Sequence, residues 1–181
     1  MVWKKTDGAR INGCVRSKRS AASIARVILR SVYGEDYDES SFTVDFAEGN
    51  WFITNRDMPD LEGGAKYLIL SGYTAEVIAI WEEKDAKNTD FEITEERKAQ
   101  TEAVLSEDCI CDVEDAVAIA RAIFRSVYGR DISLKQMTVT FYEVDQVWEF
   151  SITPSMPEIL DGIYVSMIRK NSAKVISLWS S

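Results

Sequence analysis

The chain has no histidine among its 181 residues. That removes the commonest general base and the commonest metal ligand together, and it lowers the expectation of catalysis. Cysteine is scarce as well. Cys14, Cys109 and Cys111 are an odd set, so they cannot all pair within the chain. A Cys-x-Cys with no histidine and no second pair falls short of the four ligands of a closed zinc site. The thiols therefore read as small hydrophobes, and no metal or other cofactor is expected. No apolar run approaches the ~18 residues that suggest a membrane span. Lys4 and Lys5 lack the apolar stretch that would make the N-terminus a secretory signal. The expectation is a cytoplasmic protein that is not an enzyme.

What the chain does have is negative charge, unevenly placed. The net charge is −9. Residues 1–19 carry +5, residues 20–83 carry −8, residues 84–112 carry −5 and residues 113–181 carry −1. An acidic surface disfavours nucleic acid and anionic membrane as partners, and its field steers a cationic partner in.

The chain also repeats itself. Ala25-Arg26-Val27-Ile28-Leu29-Arg30-Ser31-Val32-Tyr33-Gly34 returns as Ala120-Arg121-Ala122-Ile123-Phe124-Arg125-Ser126-Val127-Tyr128-Gly129, at a constant offset of 95. Further on, Met58-Pro59 matches Met156-Pro157, Gly64 matches Gly162, and Trp81 matches Trp179, at an offset of 98. Each copy opens with a helical period. Ala21, Ile24, Ala25, Ile28 and Val32 form one stripe, with Ser17 (Asp112 in the second copy) as cap and Gly34 (Gly129) just past the end. The period then changes to two. Strands are expected over 42–46, 51–54, 66–71 and 76–81, and over 137–141, 147–152, 163–169 and 174–179. The resulting division is an N-terminal arm over 1–16, a first acidic repeat over 17–83, a linker over 84–111 and a second repeat over 112–181. Thr94 caps a helix expected to run to Leu105 within the linker. The basic arm is expected to pair with the acidic linker. The fold class so read is α+β: two tandem repeats, each one helix followed by a four-stranded antiparallel meander. Units of this size are marginal alone, so the two are expected to pack together or share a sheet.

The set Ile24, Ala25, Ile28, Tyr33, Gly34, Trp51, Pro59, Gly63 and Gly64 resembles the pattern of bacterial immunity proteins, which are described as having a nuclear-transport-factor-2-like, or cystatin-like, fold. Ile119, Ala120, Ile123, Tyr128, Gly129, Trp148, Pro157 and Gly162 carry it in the second copy, where Asp161 replaces the first glycine of the pair. The family pattern is usually a single unit, whereas this chain has two. The resemblance implies a protein that neutralises a cognate toxin by binding it, with no catalytic residues to carry over. Its signature positions read as scaffold.

The sharpest candidate for partner binding is the acidic set of the first copy. Glu35, Asp36, Asp38 and Glu39 follow the helix, and Asp57, Asp60 and Glu62 follow the second strand. The second copy has Arg130, Asp131, Ser133 and Leu134, then Ser155, Glu158 and Leu160, in those places. A shared scaffold does not explain why one copy alone gathers carboxylates on its loops. The expected partner is therefore a basic toxin surface. The same residues also read as a solvated face that keeps the protein soluble. Asp57 and Asp60 form a nominal acid–base pair, but no nucleophile or metal motif accompanies them. The aromatics Tyr33, Tyr37, Tyr67 and Tyr73 would suit either a core or a ligand pocket, which leaves open a small-ligand-binding or weakly catalytic cystatin-like domain. A structural or regulatory interaction module remains a third reading, and the oligomeric state stays open.

Overall fold

The computed structural model describes residues 13–56, 64–84, 90–129, 131–152 and 164–180. In chain order the elements are α1 (Lys18–Tyr33), β1 (Thr43–Ala47), β2 (Asn50–Thr54), β3 (Ala65–Ser71), β4 (Val77–Glu83), α2 (Glu95–Glu107), α3 (Val113–Tyr128), β5 (Met137–Tyr142), β6 (Val147–Ile152), β7 (Tyr164–Arg169) and β8 (Val175–Ser180). Strands β1 to β4 form one antiparallel sheet in sequence order, and β5 to β8 form another.

The ends of the two long helices follow from their caps. Ser17 accepts a hydrogen bond from the Ser20 amide, and Asp112 accepts one from the Asp115 amide. Gly34 and Gly129 close the helices at φ 75° and 70°, donating their amides to Arg30 and Arg125. That left-handed backbone costs glycine nothing.

The long helices pack antiparallel. The start of α1 meets the end of α3, where the Arg16 amide donates to Ser126 Oγ at 2.8 Å. The start of α3 meets the end of α1, where the Cys111 amide donates to Ser31 Oγ at 3.0 Å. Those two bonds join equivalent positions of the two repeats, so the halves are related by a local two-fold. The same relation recurs between the sheets. Val77 N donates to Ser172 O at 2.8 Å, and Val175 N donates to Thr74 O at 2.7 Å. Ile24, Ile28, Ile53, Leu68 and Ile80 share one continuous buried cluster with Ile119, Ile123, Phe124, Phe150 and Ile168. The inner faces of both sheets and the stripes of both helices thus close a single core.

The outer face of the first sheet has a cover of its own. Phe52, Tyr67, Ile69 and Trp81 form a second cluster there, capped by Phe91. The Phe91 ring stands edge-on to Phe52, Tyr67 and Trp81, with centroids 5.1, 5.5 and 5.9 Å away. Helix α2 then closes the β4 edge with side chains. Thr101 Oγ1 accepts the Ile80 amide at 3.0 Å, and Gln100 Oε1 accepts the Glu82 amide at 3.0 Å. Arg97, 5 % exposed, lies 4.9 Å from the Trp81 ring centroid, pairs with Glu83, and pairs with Asp90 at 2.9 Å. An unprotected strand edge invites pairing with other chains, and α2 occupies this one.

The expected fold class is corrected by this arrangement. The described chain is α+β with three α-helices and two separate four-stranded antiparallel sheets, and two of the three helices come after the first sheet. It is not a plain tandem of one-helix meanders, because the first sheet is held between helices of the core on one face and the Phe91–α2 segment on the other. The cystatin-like assignment falls with that arrangement. The physical reason is that α2 buries Arg97 and Thr101 rather than an apolar stripe, so hydrophobic periodicity gives no sign that it packs on a sheet. Of the basic residues in the arm, Arg16 is the one described. Arg16 donates to Val127 O at 3.2 Å, at the C-terminal end of α3, where a cation is favoured, rather than pairing with the acidic linker. Residues 1–12 lie outside the described residues.

A shared core predicts shared stability. Ile28→Ala and Ile123→Ala, both at fully buried positions, should each cost about 2–5 kcal/mol. Each should lower one common unfolding transition in denaturant titrations followed by tryptophan fluorescence. Two separate transitions, each sensitive to one substitution only, would contradict the single core.

Candidate functional site

The loop after α1 is built from its buried residue outwards. Gly34 turns the chain off the helix, and Tyr37, 6 % exposed, anchors it beside Phe42 with ring centroids 6.0 Å apart. With Tyr37 pointing in, its neighbours point out: Glu35, Asp36 and Asp38 are exposed and Glu39 is half-buried. Each carboxylate has a local partner. Glu35 Oε2 accepts from the Tyr37 hydroxyl at 2.8 Å. Asp36 takes a two-point grip from Arg26, Nε to Oδ1 at 3.1 Å and Nη2 to Oδ2 at 3.0 Å. Asp38 accepts from the Ser40 amide at 2.9 Å and starts the 3-10 turn Glu39–Ser41. Glu39 Oε2 accepts from Ser23 Oγ at 3.0 Å. The loop is held in shape by its own acids, and their unused lone pairs face solvent. Asp57, Asp60 and Glu62, the other half of the expected set, lie outside the described residues, and so does the nominal acid–base pair.

The second repeat builds the same loop with fewer carboxylates. Ile132, 7 % exposed, takes the place of Tyr37. Asp131 pairs with Arg121 at 3.1 Å as Asp36 does with Arg26. Ser133 caps the turn Leu134–Gln136 as Asp38 caps its own. The residues turned to solvent are Asp131, Ser133, Leu134 and Lys135, with Leu134 57 % exposed.

Between the two loops, along the local two-fold, α1 and α3 enclose a groove of 270 Å³ whose walls include Arg26, Arg30, Arg121 and Arg125. Arg30 reaches across to Asp115 in the first turn of α3, a carboxylate that is 4 % exposed. Arg125 makes the reciprocal reach to Ser23 Oγ at 3.2 Å. Arg26 and Arg30 lie off the apolar stripe of α1. The Arg-x-x-x-Arg spacing present in both copies is the signal that would have found this groove. Its floor alternates in sign, with Glu39 and Asp131 beside the arginines.

The remaining candidates are placed as follows. Among the described residues no group of three or more His, Cys, Asp or Glu side chains is arranged to hold a metal ion. Cys109 is buried and its thiol is pushed up to about 12 by desolvation, while Cys14 is half-buried and Cys111 exposed. Tyr67, Trp51 and Trp81 belong to packed cores, and Tyr73 is 57 % exposed. Lys66, 1 % exposed, pairs with Glu82 at 3.2 Å and sits 4.9 Å from the Tyr33 ring centroid. Burial pushes the Tyr33 phenol well above the ordinary tyrosine range. No helix among the described residues is long and apolar enough to cross a membrane.

No family model matches this chain, and neither the curated proteins nor the solved structures give a match.

The acids of the loop carry a pH signature. The hydrogen bond from Arg26 holds the Asp36 carboxyl below the usual carboxylate range, and the Ser40 amide does the same for Asp38. A folded-state value below the unfolded one stabilises the fold above the unfolded value, and that contribution is lost as pH falls through the folded value. The loop should therefore keep its shape through the ordinary carboxylate titration and loosen only in stronger acid. A carboxyl-detected NMR titration should show Asp36 titrating low in the wild type and returning towards about 3.9 in Arg26→Gln. An ordinary value in both would contradict the two-point grip.

Proposed function

We propose that this chain is an immunity protein of the kind its sequence resembles: a cytoplasmic, non-catalytic protein that neutralises a bacterial toxin domain by stoichiometric binding, with the acidic loop Glu35–Glu39 meeting a basic surface of the toxin. The observation that supports the reading is the comparison between the two loops. One scaffold is built twice, with the same buried anchor position and the same arginine–aspartate grip, yet beside that shared exposed aspartate the first copy adds Glu35 and Asp38, where the second has Arg130 and Ser133 in sequence. Folding requirements account for what the loops share. They do not account for charge gathered on one of them.

The loop is also pre-organised. Its backbone is tied by Tyr37, Asp36 and Asp38 before any partner arrives, so little conformational entropy remains to be lost on docking. A rim of fixed carboxylates raises association rates with a cationic partner and makes them salt-dependent. Small-ligand binding has less support, because the space between α1 and the first sheet is filled by Ile24, Ile28, Ile53 and Leu68.

Two measurements test the proposal. The chain, co-expressed with the C-terminal domain encoded by its neighbouring gene, should restore growth that the domain alone suppresses; continued growth arrest would remove the immunity reading. The triple variant Glu35→Gln, Asp36→Asn, Asp38→Asn keeps the loop's hydrogen-bond acceptors and removes its charge. Association with that domain should slow roughly tenfold at low salt and differ little from wild type at high salt. An unchanged rate and an unchanged salt slope would remove the acidic loop from the interface.

A further inference from the structure

The two repeats differ most at their last strands. In the first sheet the outer edge of β4 is closed by α2, through Thr101 and Gln100, which take up the Ile80 and Glu82 amides. Repeat equivalence puts Leu178 and Ser180 in those positions on β8. Among the described residues none takes up their outward amides. The apolar cover is missing as well. Trp81 is fully buried beneath Phe91 and Arg97, whereas its equivalent Trp179 is 49 % exposed.

Natural edge strands are guarded by charge, proline, bulges or a cover. From Val175 to Ser180 the sequence reads Val-Ile-Ser-Leu-Trp-Ser, with no charged residue and no proline. Its bulge places one extra residue, Ile176, opposite the Met167–Ile168 step of β7, near the start of β8, and leaves 177–180 in regular register. The other edge of the same sheet, β5, exposes threonines (Thr138, Thr140) rather than large apolar groups along most of its outer face.

The missing charge also indicates the occupant. The cover of β4 depends on Arg97, buried between Trp81 and the carboxylates of Glu83 and Asp90. The sequence has Ser181 where β4 has Glu83, the carboxylate that Arg97 meets, so a helix of the α2 kind would bring a cation with no carboxylate there to meet it. A neutral, extended strand meets no such cost. In a two-fold arrangement every charge faces its own copy, and an uncharged edge is the kind that can do so without repulsion.

We propose that β8 is the pairing edge of a homodimer, in which β8 of two copies of this chain lie antiparallel about a two-fold at Leu178. Each Leu178 amide then donates to the other copy's Leu178 carbonyl, continuing the two four-stranded sheets into one of eight. Each Trp179 comes opposite Ser177 of the second copy, which covers the exposed indole. This pairing stands apart from the toxin reading and uses none of the acidic loop.

The test is the solution mass of the full chain, followed by sedimentation from low to high micromolar concentration. The expected result is a reversible monomer–dimer equilibrium that approaches twice the 20.5 kDa chain mass. The double variant Ile176→Lys, Trp179→Lys places like charges across the two-fold and should remain monomeric over the same range, with an unchanged circular dichroism spectrum. Hydrogen exchange of the wild type supplies a readout that needs no variant: the Leu178 amide should become more protected as concentration rises. A monomer at every concentration overturns the proposal, as does a dimer indifferent to the lysines. So does Leu178 exchange that is independent of concentration, or a ladder of growing oligomers in place of a closed dimer. Protection of β8 that appears only with another protein present would assign the edge to that protein and likewise overturn self-pairing.

Discussion

The contact between α1 and α3 is what the rest of the molecule depends on. Each helix carries one apolar stripe, and each sheet has an inner face to cover, but neither repeat has enough residues to close a core alone. Placed antiparallel, the two helices bring Ile24 and Ile28 into the same buried cluster as Ile119 and Ile123. The contact is also fastened by polar groups at both ends. Arg16 meets Ser126, Cys111 meets Ser31, and Arg30 crosses to the buried Asp115. Truncating one partner of a buried, charged pair usually costs more than the pair contributes net, so these bonds set the register of the helices more than they add to stability.

The same helix pair shapes the surface above it. Because α1 and α3 run antiparallel, their equivalent arginines face each other across one groove, and the two post-helical loops stand at its opposite ends. Arg26 and Arg121 each spend their charge on an aspartate ten residues further on. Local neutralisation of this kind lets four arginines sit close together on an acidic protein. It also means that the loop carboxylates serve shape and charge at once, since Asp36 both fixes the loop and remains exposed. The two copies have diverged elsewhere under looser constraint. Where the outer face of the first sheet has Phe52 and Tyr67, the second has Glu149 and Val165.

Much of the local structure was legible in residues, and the reason is periodicity. Ile24, Ala25 and Ile28 read as a helix because they repeat at 3.6, and Val44 and Phe46 read as a strand because they repeat at two. The caps Ser17, Asp112 and Thr94 were legible from chemistry alone, since a side-chain oxygen before a helical run has an amide to receive. The role of α2 was not legible. It buries an arginine and a threonine, and nothing in composition distinguishes a polar face that seals a strand edge from a polar face in water. The acidic loop was visible as an excess of Asp and Glu. Its arginine partners were not, because Arg26 and Asp36 are ten residues apart and a glycine turn decides that they meet.

The amino-acid order by itself determined the repeat, the spans of the long helices and the uneven charge, since each depends on neighbours within a few positions along the chain. Tertiary structure alone decided that the repeats share one core about a two-fold, that a third helix covers only the first sheet, and that four arginines converge on one groove. Those outcomes depend on groups brought together from distant parts of the chain, and their energy comes from burial and pairing that no local window of sequence contains.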